Sequence, residues 1–541
     1  MRGLLKPLQA VPEFIGLIRG LENNFRQQAV FGLSGSQTSY LYAGLAGVAA
    51  PLPVLVVTPG EREACQMADE IAGLLPGAAV KLFPVWQLLP FQIIAHSKEV
   101  EAQRLQVLES LVRGERAVVI APAEAVLRRL VPPQIFGRAA LRLATGERAG
   151  RDDLIRRLLA MGYERVGLVE GRGQFCLRGG ILDVFPMTAH RPVRIEFFDD
   201  EVDSIRRFNA ATQRSEEKID EVEIGAAREL IVEDKAWENF RRALKKEYRA
   251  QALKLEKAGE TGAARQLAEK FAETAEGACG YFNGIENFLP YFYREVITIL
   301  DYLPAGAPVI VDDPVRVKEM IDSIQRERME TYSDLLSRGR VLPSQFLAYA
   351  GWSDIQGGLS RHPVIYSSLL PRQPDFVRPQ QTFSLPWKAM PSFLGNLKML
   401  AEEIRHWRKS GYATVILVSS HHRAQQILSS LKDHGVDAFY ASSPEGHVRS
   451  GNVLVAVGSL SGGFELPDCR LAVVTERDIY GQFRRVKRER KRVGRMAPFV
   501  DLRVGDYVVH ANHGIGQYLG VVPLTIGGHS QEKGITLLGS K

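Results

Sequence analysis

The sequence predicts a multidomain α/β protein with an α+β insert, a second small α/β domain and an incomplete β-barrel at its C-terminal end. Three observations predict it. The chain has 541 residues, and single hydrophobic cores stop growing near ~250–300 residues. Continuous apolar runs alternate with helical patterns, as in a parallel sheet covered on both faces. Glycine-punctuated short strands close the chain. Hydrophobic residues make up 45% and charged residues 24%, which is ordinary for a globular protein. The net charge of +7 is compatible with contact to nucleic acid or to acidic protein surfaces and establishes neither.

The elements follow in order. "AVFGL", then "SYLYAGLAGVAA", then "PVLVVTPG" read as strand, helix and strand across residues 27–60, and "ERAVVIAPAEAVLRRL" (115–130) repeats the strand-then-helix pattern. Residues 165–208 turn into short alternating strands. There "RIEFF" and "EVDSIRRFN" are joined by an Asp199-Asp200 turn. Residues 233–275 read as a solvated amphipathic helix pair rich in Lys, Glu and Ala. "APVIVDDP" (307–314) is a buried strand ending in acids, and residues 340–390 read as a connection of low regularity. A fresh α/β unit begins near Phe393 with "LAEEIRHWRKSG" and "ATVILVSS". "RRVKRERKRVGR" (484–495) is nearly all basic, and it reads as a solvated linker because aromatic interleaving is missing.

Cys65, Cys176, Cys279 and Cys469 lie far apart with no C-x-x-C pair. A zinc ribbon or thioredoxin-like site has no support, and the pattern fits a reducing cytosol. His510 and His513 have no third ligand nearby, so no metal is expected. No uncharged stretch reaches the ~18–20 residues of a membrane span. The expectation is a cytoplasmic protein without membrane contact.

The octet "GLSGSQTS", Gly32 to Ser39, nearly matches the phosphate-binding pattern G-x-x-x-x-G-K-[ST]. Gly32, Gly35 and Ser36 suit such a loop, and Ser39 could hold magnesium. Gln37 stands in place of the second glycine and Thr38 in place of the lysine, so the phosphate-neutralising charge is missing. Asp312 and Asp313 end a strand as Walker B acids would. The residues favour a structural loop over an active nucleotide site.

In the insert, Arg172, Arg178, Arg191 and Arg194 share a short sheet region with Phe197 and Phe198. Arginine and aromatic residues are enriched at binding hot spots. The plain alternative is solvated arginines beside one core phenylalanine. Strand alternation sends Phe197 and Phe198 to opposite faces.

Together "GLSGS", "FPVWQLLPFQ", "RGGILDVFP", "RIEFFDDEVDSIRRFNAATQRS", "ILDYLPAGAPVIVDDP" and "GDYVVHANHGIGQYLG" resemble the N-terminal half of the bacterial transcription-repair coupling factors (Mfd). The first part is similar to UvrB, whose working P-loop the octet resembles in degenerate form. The resemblance implies a split UvrB-like domain at 1–140 and 231–380, with a UvrA-binding insert at 141–230. An α/β domain at 390–483 and a basic linker at 484–495 follow. A CarD-like, Tudor-like RNA-polymerase-interacting barrel begins at 496 and is cut short at 541. In the family a DNA translocase motor comes next; on this reading the chain has no motor, is no enzyme, and needs ATP, magnesium and most DNA contact only through that absent part. The implied UvrA contacts are Arg178, Arg194 and Phe198. The implied contacts to the RNA polymerase β subunit are Leu524, with Ile526 beside it. The expected function is a recruitment module of transcription-coupled nucleotide excision repair. The alternative is a UvrB-like helicase fragment that retains nucleotide and DNA binding.

Overall fold

The computed structural model describes residues 1–48, 52–86, 97–232, 234–277, 280–282, 284–293, 295, 297–442, 444 and 446–481, and the backbone of strands at 507–510, 514–526 and 529–538. Helix α1 (Pro12–Glu22) precedes four strands, β1 (Gln27–Phe31), β2 (Val54–Thr58), β3 (Ala79–Leu82) and β4 (Ala117–Pro122). Helices α2 (Ser36–Val48), α3 (Glu61–Leu74) and α4 (Lys98–Val112) lie between them. Every residue of "VLVVT" in β2 and "AVVIAP" in β4 is buried. Strands covered on both faces read as such unbroken apolar runs.

The chain then leaves this sheet for the insert and re-enters it later. The insert's strands are β5 (Leu141–Ala144), β6 (Glu164–Arg165), β7 (Gln174–Arg178), β8 (Ile181–Phe185), β9 (Val193–Phe198), β10 (Glu201–Phe208), β11 (Ser215–Ile219) and β12 (Glu221–Ile224). The chain enters and leaves through the antiparallel pair β5–β12. Between them β11-β10-β9-β8-β7-β6 form one sheet, antiparallel except at β6–β7. One face carries Phe175, Leu182, Val184, Val193, Ile195 and Ile205 into a core shared with Leu154 and Leu158 of the helix Arg151–Ala160.

The return supplies β13 (Val309–Asp312), β14 (Val364–Ser368) and β15 (Gln381–Ser384). They complete a parallel sheet of order β15-β1-β14-β13-β2-β4-β3. Here residues 340–390 depart from expectation. "VIYSS" is a central strand, paired with β1 on one side and β13 on the other. Its five residues are too short for periodicity to reveal, and Pro-rich flanks mask it. The helix pair Asp234–Lys257 and Thr261–Gly277 is amphipathic as expected but not merely solvated. Trp237, Phe240, Leu244, Leu267 and Phe271 enter the main core.

The second α/β sheet comprises β16 (Lys388–Ala389), β17 (Ala413–Val418), β18 (Phe439–Tyr440), β19 (Val453–Val457), β20 (Phe464–Leu466) and β21 (Leu471–Thr475), in order β16-β20-β21-β17-β19-β18. Val415, Leu417, Leu454, Phe464 and Val473 join Tyr40, Leu41, Val56 and Ile120 in one apolar cluster. The Tyr40 and Phe464 rings stand 4.9 Å apart. The parallel first sheet and this mixed second sheet thus share a core within one unit, Met1–Gly481.

Residues 482–541 form a second unit. Its described part is an antiparallel sheet of β22 (Tyr507–His510), β23 (Gly514–Ile526) and β24 (His529–Leu538). β23 begins at Gly514, opposite His510, with Gly516 opposite Val508. The basic run 484–495 and His513 lie outside the described residues, as do residues 87–92 of "FPVWQLLPFQ".

Candidate interaction face and the nucleotide-like loop

β1 delivers the chain to Gly32, whose φ is +95°. A Cβ there would lie 2.3 Å from the Leu385 carbonyl oxygen, so only glycine permits this approach. Gly35 takes a second left-handed turn at φ +55°, and Ser36 opens α2. The Gln37 side chain then closes the loop on itself. Its Oε1 accepts from the Ser34 amide at 2.9 Å. Thr38 donates its hydroxyl to the Gly35 carbonyl at 2.6 Å. Ser36, Gln37 and Ser39 are all buried.

The space beside the first turn of α2 is filled by protein. Ser36 Oγ donates to Glu70 Oε1 of α3 at 3.0 Å and stands 2.9 Å from Ser461 Oγ. The Ser461 amide donates to the same Glu70 oxygen at 2.8 Å, and the Gly462 amide donates to Ser36 Oγ at 3.1 Å. Gln66 Nε2 donates to Ser461 Oγ at 2.8 Å, and Arg477 Nη1 to the Ser461 carbonyl at 2.9 Å. A loop of the second sheet therefore covers the Ser36 side chain at the start of α2, and the buried Glu70 carboxyl bonds both.

Asp312, which ends β13, and Asp313 after it are also engaged. The Tyr42 phenol donates to Asp312 Oδ1 at 2.9 Å. Burial pushes the Asp312 carboxyl up to about 6, against the lowering effect of that bond. Asp313 sits at φ +54° and caps the helix Pro314–Ser337, accepting from the Arg316 amide at 3.2 Å. A residue spent on capping is poorly placed to be a hydrolytic base. Among the described residues no group of His, Cys, Asp and Glu is arranged to hold a metal, and no helix is long and apolar enough to cross a membrane.

The insert offers a different kind of surface. Asp183 lies opposite Arg194 across β8–β9 and opposite Cys176 across β7–β8, and Ile181 lies opposite both Glu196 and Arg178. With the alternation of strand side chains, Arg178, Asp183, Arg194, Glu196 and Phe198 occupy one face, away from the insert's core. Phe197 packs on that core while Phe198 is 81% exposed. Arg194 grips Asp183 with both Nε (2.8 Å, to Oδ1) and Nη2 (3.0 Å, to Oδ2). That bond raises the arginine's already high pKa. Arg178 Nη2 donates to Asp183 Oδ2 at 3.0 Å. Below them Phe208, Cys176 and Val169 form a small apolar cluster. Arg191 stands apart, paired with Glu216 at 2.6 Å; Arg172 offers its carbonyl to Lys98 at 3.0 Å.

In the terminal sheet Leu524 pairs with Gln531 and Ile526 with His529; their side chains lie outside the described residues. β22 pairs only with Gly514–Gln517 of β23. Among the described residues, the Leu524–Ile526 stretch therefore has a strand on one side alone.

Sequence reasoning missed Asp183, Glu70 and Ser461. Asp183 had a faint signal, one acid inside "ILDVF". Ser461 had none, being 425 residues from Ser36.

Comparison with known proteins fits this arrangement. The family model for the UvrB interaction domain matches residues 141–230, and that for the CarD-like/TRCF RID domain matches residues 502–533. The transcription-repair-coupling factor of Bacillus subtilis (strain 168) is 34% identical over 525 residues, covering 95% of this chain and 44% of the relative. That of Staphylococcus epidermidis (strain ATCC 12228 / FDA PCI 1200) is 30% identical over 483 residues, covering 88% and 40%. That of Staphylococcus aureus (strain NCTC 8325 / PS 47) is 28% identical, with the same coverage. The chain is homologous to these factors along nearly all of its length, and it spans less than half of theirs.

Proposed function

We propose that this homologue of the transcription-repair-coupling factors is a recruitment platform of transcription-coupled nucleotide excision repair. It binds UvrA through the outer face of the insert and the RNA polymerase β subunit through the segment 502–533. Its octet Gly32–Ser39 is not a working ATP site. One observation carries the UvrA reading: Phe198 is 81% exposed and Arg178 half exposed on a single sheet face. A lone exposed apolar residue needs no explanation. An aromatic and an arginine exposed on one face have the composition of a binding hot spot.

The test is calorimetric titration of cognate UvrA with the full chain and with Arg178→Ala and Phe198→Ala. Both side chains are exposed enough that the variants keep their melting temperature. Each should weaken binding by about 2 kcal/mol or more, roughly 30-fold. Unchanged affinity in both variants refutes the assignment. The polymerase reading is supported by the family-model match and by the side of β23 at Leu524–Ile526 that has no partner strand among the described residues. An added strand there would take backbone hydrogen bonds for affinity and alternate side chains for specificity.

A further inference from the structure

We infer that Asp183 and Arg194 are the positioning pair of this face, while Arg178 and Phe198 make the contact, against an acidic partner surface. The inference rests on the reading that the face binds UvrA, and it divides the arginines by role. The Arg194 side chain is only 15% exposed. Two of its nitrogens grip Asp183, the third reaches the Gln213 carbonyl at 3.3 Å, and its guanidinium lies 4.8 Å from the Phe208 ring centre. Its fork is already used by the protein's own carboxylate, so it cannot clamp a second one. Arg178 is 50% exposed and makes one bond, to the same Asp183 oxygen that Arg194 Nη2 uses.

One carboxylate thus lies between two guanidiniums, and Asp183 itself is 1% exposed. The trio keeps one net positive charge at its solvent side, on the face that also carries Phe198. Glu196, on the same face, is engaged by the Ser204 hydroxyl at 2.6 Å. A partner presenting a carboxylate next to an apolar recess complements that arrangement. Asp183 screens the two cations from each other and holds Arg178 in place. Without it the two cations repel, and binding must supply the order that is now built in.

The test is a double-mutant cycle in the full chain, read by UvrA affinity. Asp183→Asn should weaken binding about tenfold when Arg178 is present and less than twofold in the Arg178→Ala background, within the range of couplings between residues in contact. Arg194→Lys keeps the charge and loses the two-toothed grip. It should lower the melting temperature and show the same dependence on Arg178, and it carries the comparison should Asp183→Asn not fold. Equal losses with and without Arg178 overturn the positioning role and leave the UvrA face standing. Native affinity in both Arg178→Ala and Phe198→Ala removes the UvrA face, and the positioning role with it.

Discussion

Restoring the missing lysine should not restore the nucleotide site. Gln37→Gly with Thr38→Lys rewrites the octet as G-L-S-G-S-G-K-S, which satisfies the phosphate-loop pattern in full. A triphosphate seated against the Ser36 hydroxyl must displace Ser461 and Gly462. Their departure breaks the bond of the Ser461 amide to the Glu70 carboxylate, together with those of Gly462 to Ser36, Ser461 to Ser36 and Gln66 to Ser461. A bond to a charged group contributes about 1.5–3 kcal/mol and a neutral one about 0.5–1.5, so the four together oppose the ligand by about 3–7 kcal/mol. At 1.4 kcal/mol per decade that weakens ATP by roughly two to five powers of ten, before the repulsion from Glu70 is counted. Isothermal titration of the double variant with Mg·ATP should therefore show no micromolar binding. Micromolar binding in that variant would refute the reasoning, because the missing lysine alone would then explain the silence. Binding that emerges only after Glu70→Gln is added would identify the carboxylate as the block.

Other outcomes follow from the buried charges and the terminal sheet. Arg104 is fully buried, pairs with Glu229 through Nε and Nη2, donates to the Pro84 carbonyl at 2.7 Å and lies 3.9 Å over the Phe83 ring. Arg104→Ala strands the Glu229 carboxylate and should cost about 3–5 kcal/mol in urea unfolding; a loss under about 1 kcal/mol contradicts that assignment. Burial holds the Glu101 carboxyl at about 8, against 4.5 for an ordinary glutamate. Between those values the unfolded chain has given up a proton that the folded chain keeps, so this group's contribution to stability falls as pH rises from about 4.5 to 8. Glu101→Gln should accordingly raise the urea midpoint at pH 8 and leave it nearly unchanged at pH 5; equal shifts at both pH values contradict the assignment. Leu524→Arg should abolish capture of the polymerase β subunit while the chain's circular dichroism stays native, whereas loss of the fold would make Leu524 a core residue.

What was legible in the sequence was whatever repeats along the chain. β2, β4 and β17 are apolar at nearly every position, and the α/β reading follows from them. Phe197 and Phe198 could be assigned to opposite faces because strand alternation is a local rule. β14 was not legible, since its five residues owe their strand state to β1 and β13 on either side. The departure of the octet from the phosphate-loop pattern was visible in Gln37 and Thr38. The partner of Ser36 was not, because Ser461 arrives from a different sheet. The same holds for Asp183, whose meaning depends on the register that sets it opposite Arg194.

The polar groups of the octet are met by the chain itself, and some of the same contacts join the two sheets. The first turn of a helix leaves backbone donors without intrahelical partners, and a buried polar group without a partner is costly. Removing the lysine does not remove that demand. In a nucleotide-binding loop an exchangeable phosphate meets it. Here the Ser34 and Gly35 carbonyls accept from the Gln37 and Thr38 amides at 3.2 Å, and Glu70, Ser461 and Gly462 hold the Ser36 hydroxyl, so the chain's own groups close the seam. On the proposed reading the insert should be presented in the same state whatever the nucleotide supply. Hydrogen exchange decides the matter directly. The amides of residues 32–39 and 459–463 should exchange at the same rates with and without millimolar Mg·ATP, and ATP-dependent protection or exposure in either stretch would show that the seam still responds to nucleotide.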